Sequence, residues 1–313
     1  MSPQGRISIG FKTSPQGVDW PTLDATWARA GELVAFDSAW MNDHLTDPSV
    51  DRGGASWEAV TVMAALAHRV PGLTIGHGVL SNTFRHPAVL AKQATLLDHI
   101  TGGRFIVGLG AGWHEGEHRP FGIPLPPMPE RFDRFESAVH TLKALFSDAA
   151  GREPGVSRPD PFYPLDGATN EPPPMTPGGP PIWLGGQKRR GIALVARHGD
   201  GWMLPAIPDF DIDYFRAKRD GILAEMANAG RDPAGFAFAA QIQTGTTDVR
   251  GGGRGRRRLR RRRGDPLDPR HAGPARTGRP RCPRSAGGRA APRRARLKAW
   301  RWRAPPTAAM MER

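Results

Sequence analysis

Short apolar segments with the character of β-strands alternate along this chain with longer amphipathic segments of helical periodicity. Helical segments such as Pro21–Val34 and Arg131–Phe146 place their apolar residues on one face. This alternation predicts a parallel α/β sheet, and so many units predict closure into a (β/α)8 TIM barrel, with an open doubly wound sheet as the alternative. The seven strand candidates are Ile7–Phe11, Ser38–Met41, Thr74–Leu80, Phe105–Gly110, Ile182–Leu184, Gly201–Leu204 and Phe236–Ile242.

A glycine-rich segment, Thr101–Trp113, surrounds the fourth strand candidate. Gly102 and Gly103 suit a tight turn before the strand, and Gly110 and Gly112 would leave backbone amides open to an anionic or planar ligand after it. The segment therefore predicts a strand that leads into a binding loop. Taken alone, it also fits a glycine-rich strand end packed under a helix.

Four separated segments together resemble the luciferase-like monooxygenase superfamily, in the branch that uses the deazaflavin coenzyme F420. Their order and spacing are similar to the family from about residue 7 to residue 243, which is more specific than any single glycine pattern. The resemblance implies a TIM barrel, reduced deazaflavin or flavin (FMN) chemistry, and a site at the carboxyl ends of the strands. The segments are Gly10–Gln16, Phe36–His44, Gly102–Trp113 and Pro181–Gly186.

Asp43 and His44 directly follow the second strand candidate, which in a barrel places both at the catalytic end. The resemblance implies that Asp43 contacts the deazaflavin or its ribityl chain. It implies that His44 stands beside the ring carbon that exchanges hydride, where a histidine can give or take a proton near neutral pH. From the residues alone, an aspartate helix cap beside an exposed histidine is the alternative.

The resemblance also implies a cofactor cradle around the third and fourth strands. A non-proline cis peptide bond is expected in the stretch Gly78, Val79, Leu80, as a bulge behind the cofactor ring. Gly110, Ala111, Gly112 and Trp113 would flank the cofactor, and Trp113 could stack on a planar ring or fill the barrel mouth. In the related sugar-phosphate dehydrogenases a catalytic glutamate stands where this chain has Trp113, which argues against their substrate; nearby substitutes are His114, Glu115 and Glu117.

A second candidate cofactor contact follows the fifth strand. Gly185, Gly186, Gln187 and Lys188 lead into a helix, whose first amides could hold a cofactor phosphate with help from Lys188. A glycine-led helix start with solvated cations is the alternative. Three further cationic candidates near strand ends, which could equally be surface charges, are Lys12, Arg85 and His86.

The composition changes sharply near Val249. Residues 250–313 hold 22 of the 44 Lys and Arg residues but three of the 30 Asp and Glu, so the formal net charge of +14 comes from this segment. We predict a barrel domain over residues 1–249, lacking its eighth strand and helix, and a basic, disordered tail over 250–313. An arginine-rich nucleic-acid-binding arm is one interpretation of the tail.

A frameshift is the preferred interpretation of the tail, because a GC-rich gene read one base out of phase yields Arg, Gly, Pro and Ala. Residues 265–272 can be back-translated in the shifted frame to Thr-His-Leu-Thr-Leu-Gly-Met-Pro, which reads as a strand followed by a turn. That is the pattern expected of an eighth barrel strand. Nucleic acid is therefore not the expected partner.

The sequence thus predicts an oxidoreductase that transfers hydride between coenzyme F420 and a small organic substrate. The alternatives are an FMN-dependent monooxygenase, a nucleic-acid-binding protein and an inactive remnant. One cysteine, Cys282, excludes a disulfide framework, and no apolar run approaches the roughly 20 residues of a membrane span. A cytoplasmic protein is expected, without a metal site, and a homodimer is one option for its assembly.

Overall fold

The computed structural model describes residues 7–50, 54–206 and 210–242. These residues form a curled, open parallel sheet with helices on its outer face. The predicted tail, 250–313, lies outside the described residues. Seven parallel strands follow the order β1-β2-β3-β5-β8-β9-β10, and β4 pairs with β5. The eight strands of this sheet are β1 (Gly10–Thr13), β2 (Ser38–Met41), β3 (Thr74–His77), β4 (Leu80–Ser81), β5 (Phe105–Gly110), β8 (Ile182–Leu184), β9 (Gly201–Leu204) and β10 (Ala237–Ala240).

Helices connect successive strands and cover the outside of the sheet, as the alternating sequence pattern predicts. Their apolar faces bury side chains such as Leu23 and Trp27 of the first helix and Phe135 and Leu142 of the fifth. The helices are α1 (Trp20–Gly31), α2 (Ala59–Leu66), α3 (Pro87–Thr101), α4 (Glu115–His118), α5 (Met128–Phe146), α6 (Arg189–His198) and α7 (Ile212–Asn228). Short 3₁₀ helices lie at Ala67–Arg69 and Asp148–Gly151.

The predicted parallel α/β architecture is confirmed, and each of the seven strand candidates overlaps an observed strand. The first strand begins three residues later than predicted, at Gly10. The third candidate is broken at Gly78 and Val79, which separate β3 from β4. Gly102 and Gly103 have φ values of 65° and 80°, so they form the predicted turn in the left-handed region.

The inside of the curled sheet is filled by two tryptophans. Trp40 of β2 and Trp183 of β8 stack with their ring centroids 5.2 Å apart, and Ile106 and Met203 pack in the same cluster. Glycines on neighbouring strands make room for them. A Cβ atom on Gly76 would lie 2.6 Å from the Trp40 ring, so a side chain there would displace this interior layer.

Segment 147–181 is rich in proline and glycine, which predicts an ordered or mobile excursion over the barrel mouth rather than another helix. It contains an antiparallel pair, β6 (Val156–Arg158) and β7 (Leu165–Ala168), and makes hydrogen bonds to the outer helices α3 and α5. Asn170 donates a hydrogen bond to the carbonyl of Leu145 in α5, and Thr176 donates two to Asp98 in α3. These buried polar contacts fix the segment beside α3 and α5.

Among the described residues, no helix has both the length and the apolar character that a bilayer span requires.

Candidate active site

Strand register brings the predicted site residues to one end of the sheet. Thr13 lies opposite Met41, Met41 lies opposite His77, and Leu109 lies opposite Leu184. Since these strands are parallel, the loops that follow them all emerge at the same edge. The segments after β2, β3, β5 and β8 therefore form a single candidate site.

His44 and Glu117 form a hydrogen-bonded pair at this site. His44 Nδ1 lies 3.0 Å from Glu117 Oε1, and the backbone amide of Leu45 donates to Glu117 Oε2 at 2.9 Å. Burial alone would raise the pKa of Glu117, but the bonds and charge of His44, the Leu45 amide and the charge of His114 bring it below its usual value. Glu117 is therefore an ionised acceptor that favours the His44 tautomer with its proton on Nδ1.

Trp113 forms an exposed aromatic wall next to His44. The two ring centroids are 6.0 Å apart with the rings almost perpendicular, and 64% of Trp113 is exposed. His114 packs against the other part of the indole, at 4.8 Å between centroids. A large, exposed, rigid ring beside a histidine is suited to contact a planar ligand.

The loop before Trp113 is closely packed because it consists of small residues. Gly112 has φ 83°, and a Cβ atom there would lie 2.6 Å from Thr83 Oγ1. A Cβ atom on Gly110 would lie 2.8 Å from Val79 Cγ2. A larger residue at either position would displace the loop, so the two glycines determine where the loop lies.

The peptide bond between Gly78 and Val79 is cis, as the resemblance implied. The carbonyl oxygen of Gly78 accepts hydrogen bonds from Lys12 Nζ at 3.0 Å and Gln241 Nε2 at 3.1 Å, and Lys12 also bonds to Gln241 Oε1. Burial lowers the pKa of Lys12 to about 8. The ammonium end of Lys12 is thus enclosed by protein groups at the mouth, although the residue as a whole is exposed.

Asp43 is placed differently from His44, because its carboxylate is turned into the protein. Arg85 donates to both carboxylate oxygens, at 2.7 and 3.0 Å, and the amide of Ser81 donates at 2.8 Å. The side chain of Asp43 is 1% exposed. Arg85 also bonds to Glu58 at 3.1 Å, so three charged groups fix the loop after β2. The predicted contact of Asp43 with a cofactor stays a prediction, and would require one of these bonds to open.

Two of the residues after β8 that are predicted to hold a phosphate already form hydrogen bonds with other protein groups. The amide of Gly185 donates to the carbonyl of Leu109 at 3.0 Å, and Gln187 Oε1 accepts from the Tyr214 hydroxyl at 2.8 Å. Lys188 is exposed, and α6 begins after it without a side-chain cap, which leaves its first amides available. His86, by contrast, caps α3, because its Nδ1 accepts a hydrogen bond from the backbone amide of Ala88.

Of the three acidic or imidazole substitutes proposed near Trp113, the structure brings Glu117 into contact with His44. His114 lies 3.9 Å from the same carboxylate oxygen, and Glu115 is exposed at the start of α4. Sequence reasoning missed the roles of Glu58 and Gln241. No local pattern connects them to the site, because they reach it from positions far apart in the chain.

The family model for luciferase-like monooxygenase matches residues 17–250. The chain belongs to the luciferase-like monooxygenase family. A relative in Mycobacterium tuberculosis (strain ATCC 25618 / H37Rv), a phthiodiolone/phenolphthiodiolone dimycocerosates ketoreductase, is 31% identical over 241 residues, which cover 70% of this chain and 60% of the relative. The F420-dependent glucose-6-phosphate dehydrogenase of Kribbella flavida is 32% identical over 216 residues, which cover 65% and 63%. The chain thus spans less than two thirds of the length of these relatives.

Solved structures share the fold of this chain. An F420-dependent secondary alcohol dehydrogenase in complex with an F420-acetone adduct has a TM-score of 0.65 at 24% identity, covering 74% of this chain and 68% of that chain. A riboflavin lyase with modified FMN and riboflavin has a TM-score of 0.62 at 18% identity, covering 75% and 62%. A structure solved with an F420 adduct and a structure solved with modified FMN are therefore both similar to this chain in fold.

Proposed function

We propose that this chain is a coenzyme F420-dependent oxidoreductase that transfers hydride between the deazaflavin and a small organic substrate. The observation that supports this most directly is the pair of His44 and Glu117 at the carboxyl ends of the strands. The F420-dependent dehydrogenase of Kribbella flavida and the secondary alcohol dehydrogenase structure agree with the proposal.

The residues at the mouth fit a planar cofactor. Gly110 and Gly112 let the loop pack closely against Val79 and Thr83, and Trp113 at its end offers an exposed ring beside His44. His114 Nδ1 is buried without a hydrogen-bond partner within the described part of the chain, as expected of a polar group that a ligand completes. Val79 and the glycines would support the ring, and Lys188 with the first amides of α6 would hold a phosphate.

Bound deazaflavin supplies a carbon that donates or accepts hydride. His44 would hold the proton that balances this transfer, because its Nδ1 is occupied by Glu117 and its Nε2 is left for the substrate oxygen. Glu117 would stabilise the protonated imidazole, while Asp43 and Arg85 fix the backbone that carries His44. The proposed substrate is therefore a small alcohol or carbonyl compound.

Cofactor binding tests the proposal. The chain with one base restored near the Val249 codon is titrated with coenzyme F420 and separately with FMN, and binding is followed by fluorescence quenching. We expect F420 to bind more tightly than FMN. Gly112→Ala should weaken binding because of its close contact with Thr83, whereas Gly72→Ala, at a positive-φ turn with open space around it, controls for backbone strain.

An FMN-dependent monooxygenase is the second candidate, and the riboflavin lyase structure with modified FMN favours it. FMN binding as tight as or tighter than that of F420 would assign the chain to this flavin branch and would contradict the proposal.

A further inference from the structure

A cluster of metal-ligating side chains lies on the outer helices, apart from the candidate active site. Glu136 and His140 are four residues apart in α5 and share one face of that helix, and His198 stands at the end of α6. One ligand atom from each residue lies within 4.8 Å of the others, and all three side chains are half-buried. The cluster therefore joins two neighbouring helices.

The distances in this cluster match a tetrahedral metal centre. Zinc binds imidazole nitrogen at about 2.0–2.1 Å, so two nitrogens on one zinc ion are about 3.3 Å apart. His140 Nε2 and His198 Nε2 are 3.4 Å apart, and His198 Nε2 is 3.7 Å from Glu136 Oε1. Small side-chain rotations would bring all three atoms into one coordination sphere.

We propose that Glu136, His140 and His198 form a zinc site that links α5 to α6. Two imidazoles and one carboxylate are a ligand set that suits Zn²⁺, and they would leave the fourth position to water. The metal would replace a direct contact between two imidazoles, which otherwise depends on a single shared proton.

The surroundings leave these ligands available. A neighbouring cation, Arg190, lies 3.9 Å from Glu136 but makes its short contact with Asp133, so Glu136 is not its main partner. Glu136 and His140 also line an open pocket of about 420 Å³ on the protein surface, through which a hydrated ion could enter. Lys143 and Arg197 add positive charge near His198, which would limit the affinity without blocking the site.

The position of the cluster indicates a stabilising role. His198 ends the helix just before Gly201, the first residue of β9, so the cluster lies toward the amino ends of the strands. His44 follows the carboxyl end of β2, at the other end of the sheet. Zinc at the cluster would hold α5 and α6 together without contacting the substrate.

Metal titration tests this proposal. The full chain is carried on a soluble fusion partner without a polyhistidine tag and is titrated with Zn²⁺ by calorimetry and with Co²⁺ by visible absorbance. We expect one zinc ion per chain and a tetrahedral Co²⁺ spectrum. His140→Gln and His198→Gln should each weaken zinc binding by about tenfold or more, since each removes one ligand bond. His68→Gln, at an exposed histidine outside the cluster, should bind as the unchanged chain does.

Two further measurements keep the outcome clear if a variant folds poorly. His198→Cys should keep zinc binding and add a thiolate charge-transfer band to the Co²⁺ spectrum. Cofactor titration of the same variants should be unchanged, which separates this site from the proposed active site. The absence of stoichiometric zinc binding, or equal zinc affinity in the unchanged chain and both glutamine variants, would overturn the proposal.

Discussion

Replacing Asp43 by asparagine should destabilise this protein strongly, although the two side chains have the same shape. The Asp43 side chain is 1% exposed and that of its partner Arg85 is 10% exposed, and two hydrogen bonds connect them. Asp43→Asn leaves a buried guanidinium whose remaining acidic partner, Glu58, is 42% exposed. Removing one member of a buried ion pair costs about 3–5 kcal/mol, and because Glu58 still offsets part of the charge we expect about 3 kcal/mol.

Urea unfolding followed by tryptophan fluorescence measures this loss, because Trp27 and Trp202 are fully buried. With a denaturant dependence of about 3 kcal/mol per M for a domain of this size, the midpoint should fall by about 1 M. Asp220→Asn is the matched control, since it removes the same charge from an exposed pair with Arg219. Equal midpoint shifts in the two variants would refute the view that burial makes the Asp43 pair important.

The remaining predictions concern the active site, a buried histidine and the tail. His44→Ala should slow hydride transfer by about 100-fold or more with little loss of cofactor binding, and Glu117→Gln should slow it by a smaller factor; single-turnover rates that stay unchanged would remove both from the mechanism. Burial lowers the pKa of His77 to about 4, whereas an unfolded histidine titrates near 6.5, so the unfolded chain binds more protons between these values. Stability should therefore fall by up to about 3 kcal/mol as pH falls from about 6.5 to 4, and urea unfolding of His77→Asn should lack this component. Without a carrier protein, we expect the chain as written and a chain truncated after Val249 to aggregate. A form with one base restored should be monodisperse and bind F420. A soluble, cofactor-binding chain as written would contradict the frameshift, and steeply salt-dependent nucleic-acid binding that is lost on truncation would indicate a working basic arm.

Most of the architecture could be predicted from the sequence because it depends on local patterns. Apolar runs such as Phe105–Gly110 and periodic faces such as that of α5 identify strands and helices directly. The start of β1 was less predictable, since the exposed Ile7 and Ile9 have strand-like character without being part of the described strand.

Contacts across the site could not be predicted in the same way. Glu117 was one of three neighbouring candidates, and its choice depends on how α4 turns it toward a histidine 73 residues away. The inward direction of Lys12 depends on the curl of the sheet, which brings Gln241 within hydrogen-bond reach of β1. The same applies to His140 and His198, which meet because two helices are adjacent.

The interior of the barrel supports the proposal that His44 carries the proton. Below the mouth, Trp40 and Trp183 fill the space inside the sheet, so ionisable groups collect at the carboxyl ends of the strands. Asp43 is bound on both oxygens by Arg85, and Glu117 is held ionised by its contacts. Both are therefore committed to protein partners. Lys12 is directed at the carbonyl of Gly78 and would have to lose that contact to reach a substrate. His44 keeps one ring nitrogen on Glu117 and has 16% of its side chain exposed, so it can exchange a proton with a ligand while its ring stays fixed.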